Sequence, residues 1–364
     1  MKAARLSQGS SLRQRVDAGL TNGNSAQGLH RFPGAVCKAG RMQFQTKVDC
    51  MARKRQVEPN RGAPGAIAGA ISCCGCATIG LMNSMVRVVP GERALVLDSP
   101  HSGVSYPPDF RHACGMRELR QAEDTHVEKL YDFAPDRGVA WVEALFPRSY
   151  LDANRNVTEI DVSLFDEPWP DPIETEPKAL AKVRLGKGLI WRCTDEGVPL
   201  YDRRLTVAEV RSRIDRCWQP YHQAVAAAID LAQARHGYSI HLNCHSMPPV
   251  AAKFATDYPG LVHADFVIGD RDGTSADPRL SQRICDYLAS LGYQVSYNHP
   301  YKGVELVRRH GDPARQRHSV QVEVNRKLYM DEETLALNAG FEALKANLER
   351  LVDMLLALDP RRDL

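Results

Sequence analysis

The sequence predicts an α/β fold: three α/β/α layers around a mixed, mostly parallel central sheet. Three observations predict it. From about residue 90, short strand-like runs alternate with longer helical patterns, which yields a mostly parallel sheet covered on both faces. Several of the runs are almost wholly apolar, as strands buried on both sides are. Two of them, 93–98 and 239–244, each deliver a histidine into a tight polar turn just past their end.

The elements follow in order. Strand-like runs fall at 93–98, 139–146, 239–244, 264–268, 293–297 and 319–325. Helical patterns cover 116–135, 206–236, 278–291 and 331–358. Within the second helix, Ile214, Trp218, Tyr221, Val225 and Ile229 form an apolar stripe suited to core packing. Residues 166–205, with Glu167-Pro168-Trp169-Pro170-Asp171-Pro172, read as a long excursion that overhangs the site. In Ser319–Arg326 the valines at 320, 322 and 324 alternate with Gln321, Glu323 and Asn325, so the polar three share one face.

Charge divides the chain. Residues 1–85 hold twelve Lys/Arg and three Asp/Glu, a net of +9; the whole chain is +3, so residues 86–364 carry −6. The first region has no sustained period and reads as a disordered basic extension. Its composition is that of a transit peptide, or of a translated upstream stretch if synthesis starts at Met82 or Met85. Residues 86–364 read as a single domain, and their mild acidity argues against a nucleic-acid surface. The apolar piece Ala66–Leu81 is broken by glycines and too short to span a membrane. Cys73-Cys74-Gly75-Cys76 lacks the second ligand pair of a structural zinc site. Cys114, Cys193, Cys217, Cys244 and Cys285 sit singly, which favours reduced thiols and a cytoplasmic protein.

Several residues suit hydrolytic metal chemistry. His101 and His245 stand at two strand mouths, where ligands of open α/β sheets gather. Both are either strand-end histidines bonded to loop carbonyls or ligands of one metal ion. Asp124, in Glu123-Asp124-Thr125-His126, is either a helix N-cap or the carboxylate that completes three protein ligands, with His126 the substitute. Arg148 and Arg155 are suited to a substrate carboxylate, or pair with Asp152 or Asp161. Glu323 on its rigid strand faces either solvent or a metal-bound water as general base. The turn Asn298–Gly303 offers donors, Tyr301 among them, to a substrate. There is no G-x-S-x-G and no G-x-x-x-x-G-K-[ST], and Gly269–Gly273 lacks the closing Glu of a calcium loop.

Taken in order, the pieces Ser-Pro-His101-Ser-Gly, Asp124-Thr-His-Val, Asp152-Ala-Asn154-Arg155, Cys244-His245-Ser-Met-Pro, Gly269-Asp270-Arg271-Asp-Gly, Asn298-His-Pro-Tyr301-Lys-Gly303 and Gln321-Val-Glu323-Val-Asn325-Arg-Lys-Leu-Tyr329-Met resemble the N-formylglutamate amidohydrolase family from about Val86 onward. The resemblance implies hydrolysis of N-formyl-L-glutamate to formate and glutamate, late in histidine degradation. It implies a phosphorylase/hydrolase-like fold related to zinc carboxypeptidases and to deacylases of N-acyl amino acids. His101 and His245 would then ligate Zn2+, or another divalent transition metal, and Glu323 would be the base. Asn154 and Arg155 would grip the α-carboxylate, Arg148 would steady the oxyanion, and Arg271 and Tyr301 would contact substrate. The carboxypeptidase pattern places Glu three residues after its first His. This chain has Val104 there, which leaves Asp124 as the proposed third ligand. Two alternatives stand beside this reading: a peptidase or peptidoglycan amidase on the same scaffold, and a non-catalytic protein that binds acidic metabolites.

Overall fold

Alternation along the strands sorts the two sides of the central sheet. The computed structural model describes residues 84–253 and 258–364, and the expected extension over 1–85 lies almost wholly outside them. The strands are β1 (Val86–Val89), β2 (Leu95–Ser99), β3 (Ala140–Ala144), β4 (Ser239–Met247), β5 (Phe266–Gly269), β6 (Val295–Tyr297) and β7 (Arg317–Asn325). They form one sheet in the order β1-β3-β2-β4-β7-β5-β6. The central four, β3, β2, β4 and β7, run parallel, while β1 and β5 pair antiparallel to β3 and β7. On one face Leu95, Leu97, Ile240, Leu242, Val320, Val322 and Val324 enter a core closed by α6 (Pro278–Ser290) and α8 (Phe341–Leu356). On the other, Val96, Ala140 and Val142 meet Tyr221, Val225 and Ile229 of α5 (Gln219–His236). The mixed, mostly parallel sheet of the α/β/α expectation is therefore present.

That second face changes character across the sheet. On β4 and β7 it carries His241, Asn243, His245, Ser319, Gln321 and Glu323, all buried. The alternation of β7 is as predicted, yet its polar row is not solvated. Asn154 and the backbone of Leu306 cover it.

The helix expected over 116–135 is two short pieces, α1 (Met116–Gln121) and α2 (Val127–Leu130), with His126 left-handed at φ 68° between them. Tertiary hydrogen bonds break it. The carbonyl of His101 takes the N–H of Asp124 (3.1 Å), and Arg326 takes the carbonyl of Glu123 (2.6 Å). The apolar period survived because Leu119, Val127 and Leu130 are all buried. The pattern over 331–358 becomes helical only at Phe341, since Asp331 folds the preceding stretch by accepting from the N–H groups of Glu333 and Thr334. The 206–236 pattern starts on a capping box of Thr206 and Glu209, and its α4 segment is Val207–Arg213. It then widens through one π-helical turn, Ile214–Trp218, before α5. Pro220 has no N–H for the carbonyl of Arg216, which accounts for the widening. β1 escaped notice because its four residues show no apolar alternation at a sheet edge. The excursion, which holds α3 (Pro177–Arg184), buries Leu189, Ile190, Trp191 and Leu200 in the second core. Among the described residues no helix is long and apolar enough to cross a membrane, and the five body cysteines are free thiols.

Candidate active site

The four parallel central strands all end at one place, and each brings a polar side chain there. Past β2 the chain turns through Ser99–Gly103. A Cβ on Gly103 would lie 2.4 Å from the carbonyl carbon of Leu145, so only glycine lets this turn cross the end of β3. His101 is thereby held under the loop after β3. β4 supplies His245, and the register of β7 sets Glu323 directly beside it on the same face.

The donor atoms of His101, Asp124 and His245 lie within 4.8 Å of one another, and all three residues are buried. Nδ1 of His101 and Nδ1 of His245 are 3.1 Å apart, and Oδ2 of Asp124 lies 3.3 and 2.9 Å from them. Nε2 of His101 meets Oδ1 of Asp152 at 2.7 Å. Nε2 of His245 meets the Asn243 carbonyl oxygen at 2.8 Å, and Asn243 is fixed in that orientation by donating to Asp98 (2.9 Å). Asn154 Nδ2 is farther from the same nitrogen, at 3.2 Å, so the Asn243 acceptor sets the tautomer. Each ring then carries its hydrogen on Nε2 and turns a lone pair inward. Two lone pairs and a carboxylate oxygen facing one another repel unless a cation stands among them. Two imidazoles and one carboxylate, their outer N–H groups held by Asp152 and Asn243, are a donor set that fits zinc and leaves a position open.

Asp124 caps no helix. Its oxygens are engaged by the two histidines, by Arg148 (3.5 Å) and by Arg326 (3.4 Å). His126 turns away and pairs with the carbonyl of Leu335 at 2.8 Å. Arg148 also donates to Asp152 (3.1 Å), lies over the Trp191 ring (4.9 Å), and keeps a buried Nε–H without a partner among the described residues. Burial pushes the Asp152 carboxyl up, but His101, bonded to it, and the Arg148 charge outweigh that and hold it well below the usual range. Glu323 is pushed up to about 8, first by burial and then by the charge of Asp124, against Arg148, Arg326 and a hydrogen bond from Gln321 (2.8 Å).

The expected substrate contacts divide into two groups. Asn154 touches His245, and its Oδ1 is held by the N–H of Leu306 (2.9 Å). Arg155 pairs with Glu159 at 3.4 Å, not with Asp161, which is taken by Arg192. Tyr301 packs against His263, with ring centroids 5.3 Å apart, and burial and the Glu323 charge push its hydroxyl up. Arg271 donates instead to the carbonyl of Gly303 (3.2 Å), and burial beside Arg308 pushes it down. Sequence reasoning gave no role to Trp191, which donates to Asp152 (3.2 Å), to Lys187 on the Trp191 ring (3.8 Å) or to Arg326. Asn243, two residues before His245 on one strand face, was legible from period two alone.

Comparison with known proteins gives the family. The family model for N-formylglutamate amidohydrolase matches residues 93–330. This chain belongs to that family. An N-formylglutamate deformylase from Pseudomonas aeruginosa is 30% identical over 76% of this chain and 97% of the relative. One from Pseudomonas putida is 29% identical over 69% of this chain and 87% of its own length. The crystal structure of N-formylglutamate amidohydrolase from Ralstonia eutropha JMP134 is 42% identical, covers 75% of this chain and 98% of its own, and superposes with a TM-score of 0.70. As a family member the chain is an amidohydrolase.

Proposed function

We propose that this protein hydrolyses N-formyl-L-glutamate to formate and L-glutamate, with zinc held by His101, Asp124 and His245 and with Glu323 as the proton carrier. The observation that carries this reading is the register of β4 and β7, which sets Glu323 beside one of three converging metal donors. When bound, zinc supplies a nucleophilic water at neutral pH and polarises the formyl carbonyl. An amide also needs its nitrogen protonated before it leaves. Burial raises Glu323 above the ordinary carboxylate range and a cation bound beside it would lower it again, which suits a group that takes the water's proton and returns it to that nitrogen. Arg148 offers its free Nε–H and its charge to the oxygen on which charge develops.

Formyl is too small to give much affinity, so binding rests on the glutamate carboxylates. Arg155 and Asn154 are assigned to the α-carboxylate, and Tyr301 and Arg271 to the rim beyond it. Lys187, on the Trp191 ring (3.8 Å), and Arg326, beside Asp124 (3.4 Å), are further cations near the site. A place in histidine degradation and in the cytoplasm follows from this substrate.

Formate release from N-formylglutamate, measured on metal-analysed protein with and without a chelator, tests the reading. Turnover that chelation abolishes and zinc restores is expected. Turnover of a dipeptide or N-acetylglutamate in preference to the formyl substrate would move the assignment to a peptidase or deacylase. Tight glutamate binding with no turnover would make it a binding protein.

A further inference from the structure

A second cavity, of about 820 Å³, is lined by neither the three metal donors nor Glu323. Its walls come from α5, the π-helical turn before it, and the end of α7 (Glu305–His310). Polar atoms there are left unused. His222, only 5% exposed, donates its Nε2–H to the carbonyl of Ala153 (2.8 Å), which leaves Nδ1 as a bare acceptor. That atom has no partner among the described residues, nor do Nε2 of His310 and the indole N–H of Trp169. Buried polar atoms are nearly always paired, so these three around one cavity point to an occupant that pairs at least two of them.

The walls also define that occupant. The arginines are paired: Arg211 with Asp171 (2.8 Å), Arg317 with Asp230 (2.7 Å), and Arg309 with Glu305 (2.6 Å), a carboxylate it shares with Arg308. Asp215 stands in the same wall, so the lining's arginines are balanced by aspartates and it offers no net positive charge to an anion. The rings of Trp169, Trp218 and His222 line it together, Trp218 tilted 30° against His222 with centroids 3.9 Å apart and Arg309 over it at 5.0 Å, so the walls are aromatic. We propose that this cavity binds a neutral, planar nitrogen heterocycle with one N–H donor, for His222, and one ring-nitrogen acceptor, for Trp169.

The same two walls hold the segment that carries the site. His222 bonds the carbonyl of Ala153 and Trp218 bonds that of Arg155 (2.9 Å), bracketing Asn154, two residues past Asp152. A ligand against His222 and Trp218 therefore shifts the grip of Asn154 and Asp152 on the two metal-facing imidazoles. The π-helical turn that ends at Trp218 is a kind of irregularity frequent at functional sites.

Benzimidazole, which has both ring functions and no charge, is the probe, titrated into the metal-loaded full-length protein by calorimetry. One saturable site with a dissociation constant of about 1 mM or tighter is expected. Ala226→Phe, which fills the cavity, should weaken it about tenfold or more with metal content and basal formate release unchanged. Gln223→Trp, at an exposed position of the same wall, serves if Ala226→Phe fails to fold. L-glutamate and benzimidazole should alter each other's affinity by one common factor. Absence of saturable binding, or binding that both variants leave intact (as coordination at the His101 cluster would be), overturns the site. Affinities that ignore each other overturn the coupling.

Discussion

At the level of single residues, the site is a set of tautomer and charge assignments, and each can be broken separately. Glu323→Gln keeps the shape and the Gln321 contact but cannot carry a proton. The expected outcome is a loss of about 10²–10⁴-fold in kcat, with zinc stoichiometry unchanged by atomic absorption. Wild-type turnover in that variant removes Glu323 from the chemistry. Asp152 acts one bond farther out: it takes the His101 hydrogen, so that Nδ1 faces Asp124. Asp152→Ala should lower zinc affinity by about 10–100-fold in a competitive chelator titration, while circular dichroism stays native. Arg148, Trp191 and the Asn154 N–H also converge on Asp152. That convergence explains why an acid that reads in sequence as an ordinary i,i+4 ion-pair partner is fully buried.

At the level of elements, the turns after strands do more than the strands. Gly103 crosses the chain after β3 with no room for a side chain, the nearest atoms being backbone of Leu145, Ala144 and Phe146. Gly103→Ala should destabilise the protein by about 2–4 kcal/mol in urea melts and displace His101, so that zinc affinity falls with stability. A neutral substitution there would show that the turn can move. The broken helix over 116–135 makes the same point. A continuous helix would have satisfied the backbone locally, but Asp124 could then not face two histidines. The His101 carbonyl and Arg326 give the interrupted backbone other partners.

For the molecule as a whole, burying charge at the ends of a parallel sheet makes stability depend on pH. Glu128 is pushed up to about 7, mainly by burial and further by the charge of Glu143, and its Oε2 has no partner among the described residues. Below about 4.5 both folded and unfolded chains hold this proton. Between about 4.5 and 7 only the folded chain does, so this residue's contribution is lost as pH rises through that window. Glu128→Gln, which never ionises, should therefore gain stability relative to wild type from pH 5 to 7.5 by at most about 3 kcal/mol, and nothing at pH 4. Parallel pH profiles for the two proteins would show that Glu128 does not titrate in this range.

The sequence by itself determined the layers and the side each residue faces. Period two in β7 and apolar runs in β2 and β4 depend only on local geometry, so Glu323, His245 and His101 were legible before any contact was known. The sequence could not separate Asp124 as a cap from Asp124 as a ligand, or choose between Asp124 and His126. It also could not show that Trp191 and Lys187, from a distant excursion, close over Asp152. These are long-range choices. They are fixed by which carbonyl takes which N–H and which charge ends up desolvated beside which, and those energies exist only once segments some 140 residues apart are packed together. A pattern along the chain names the groups; the shared low-dielectric space they enter decides their protons.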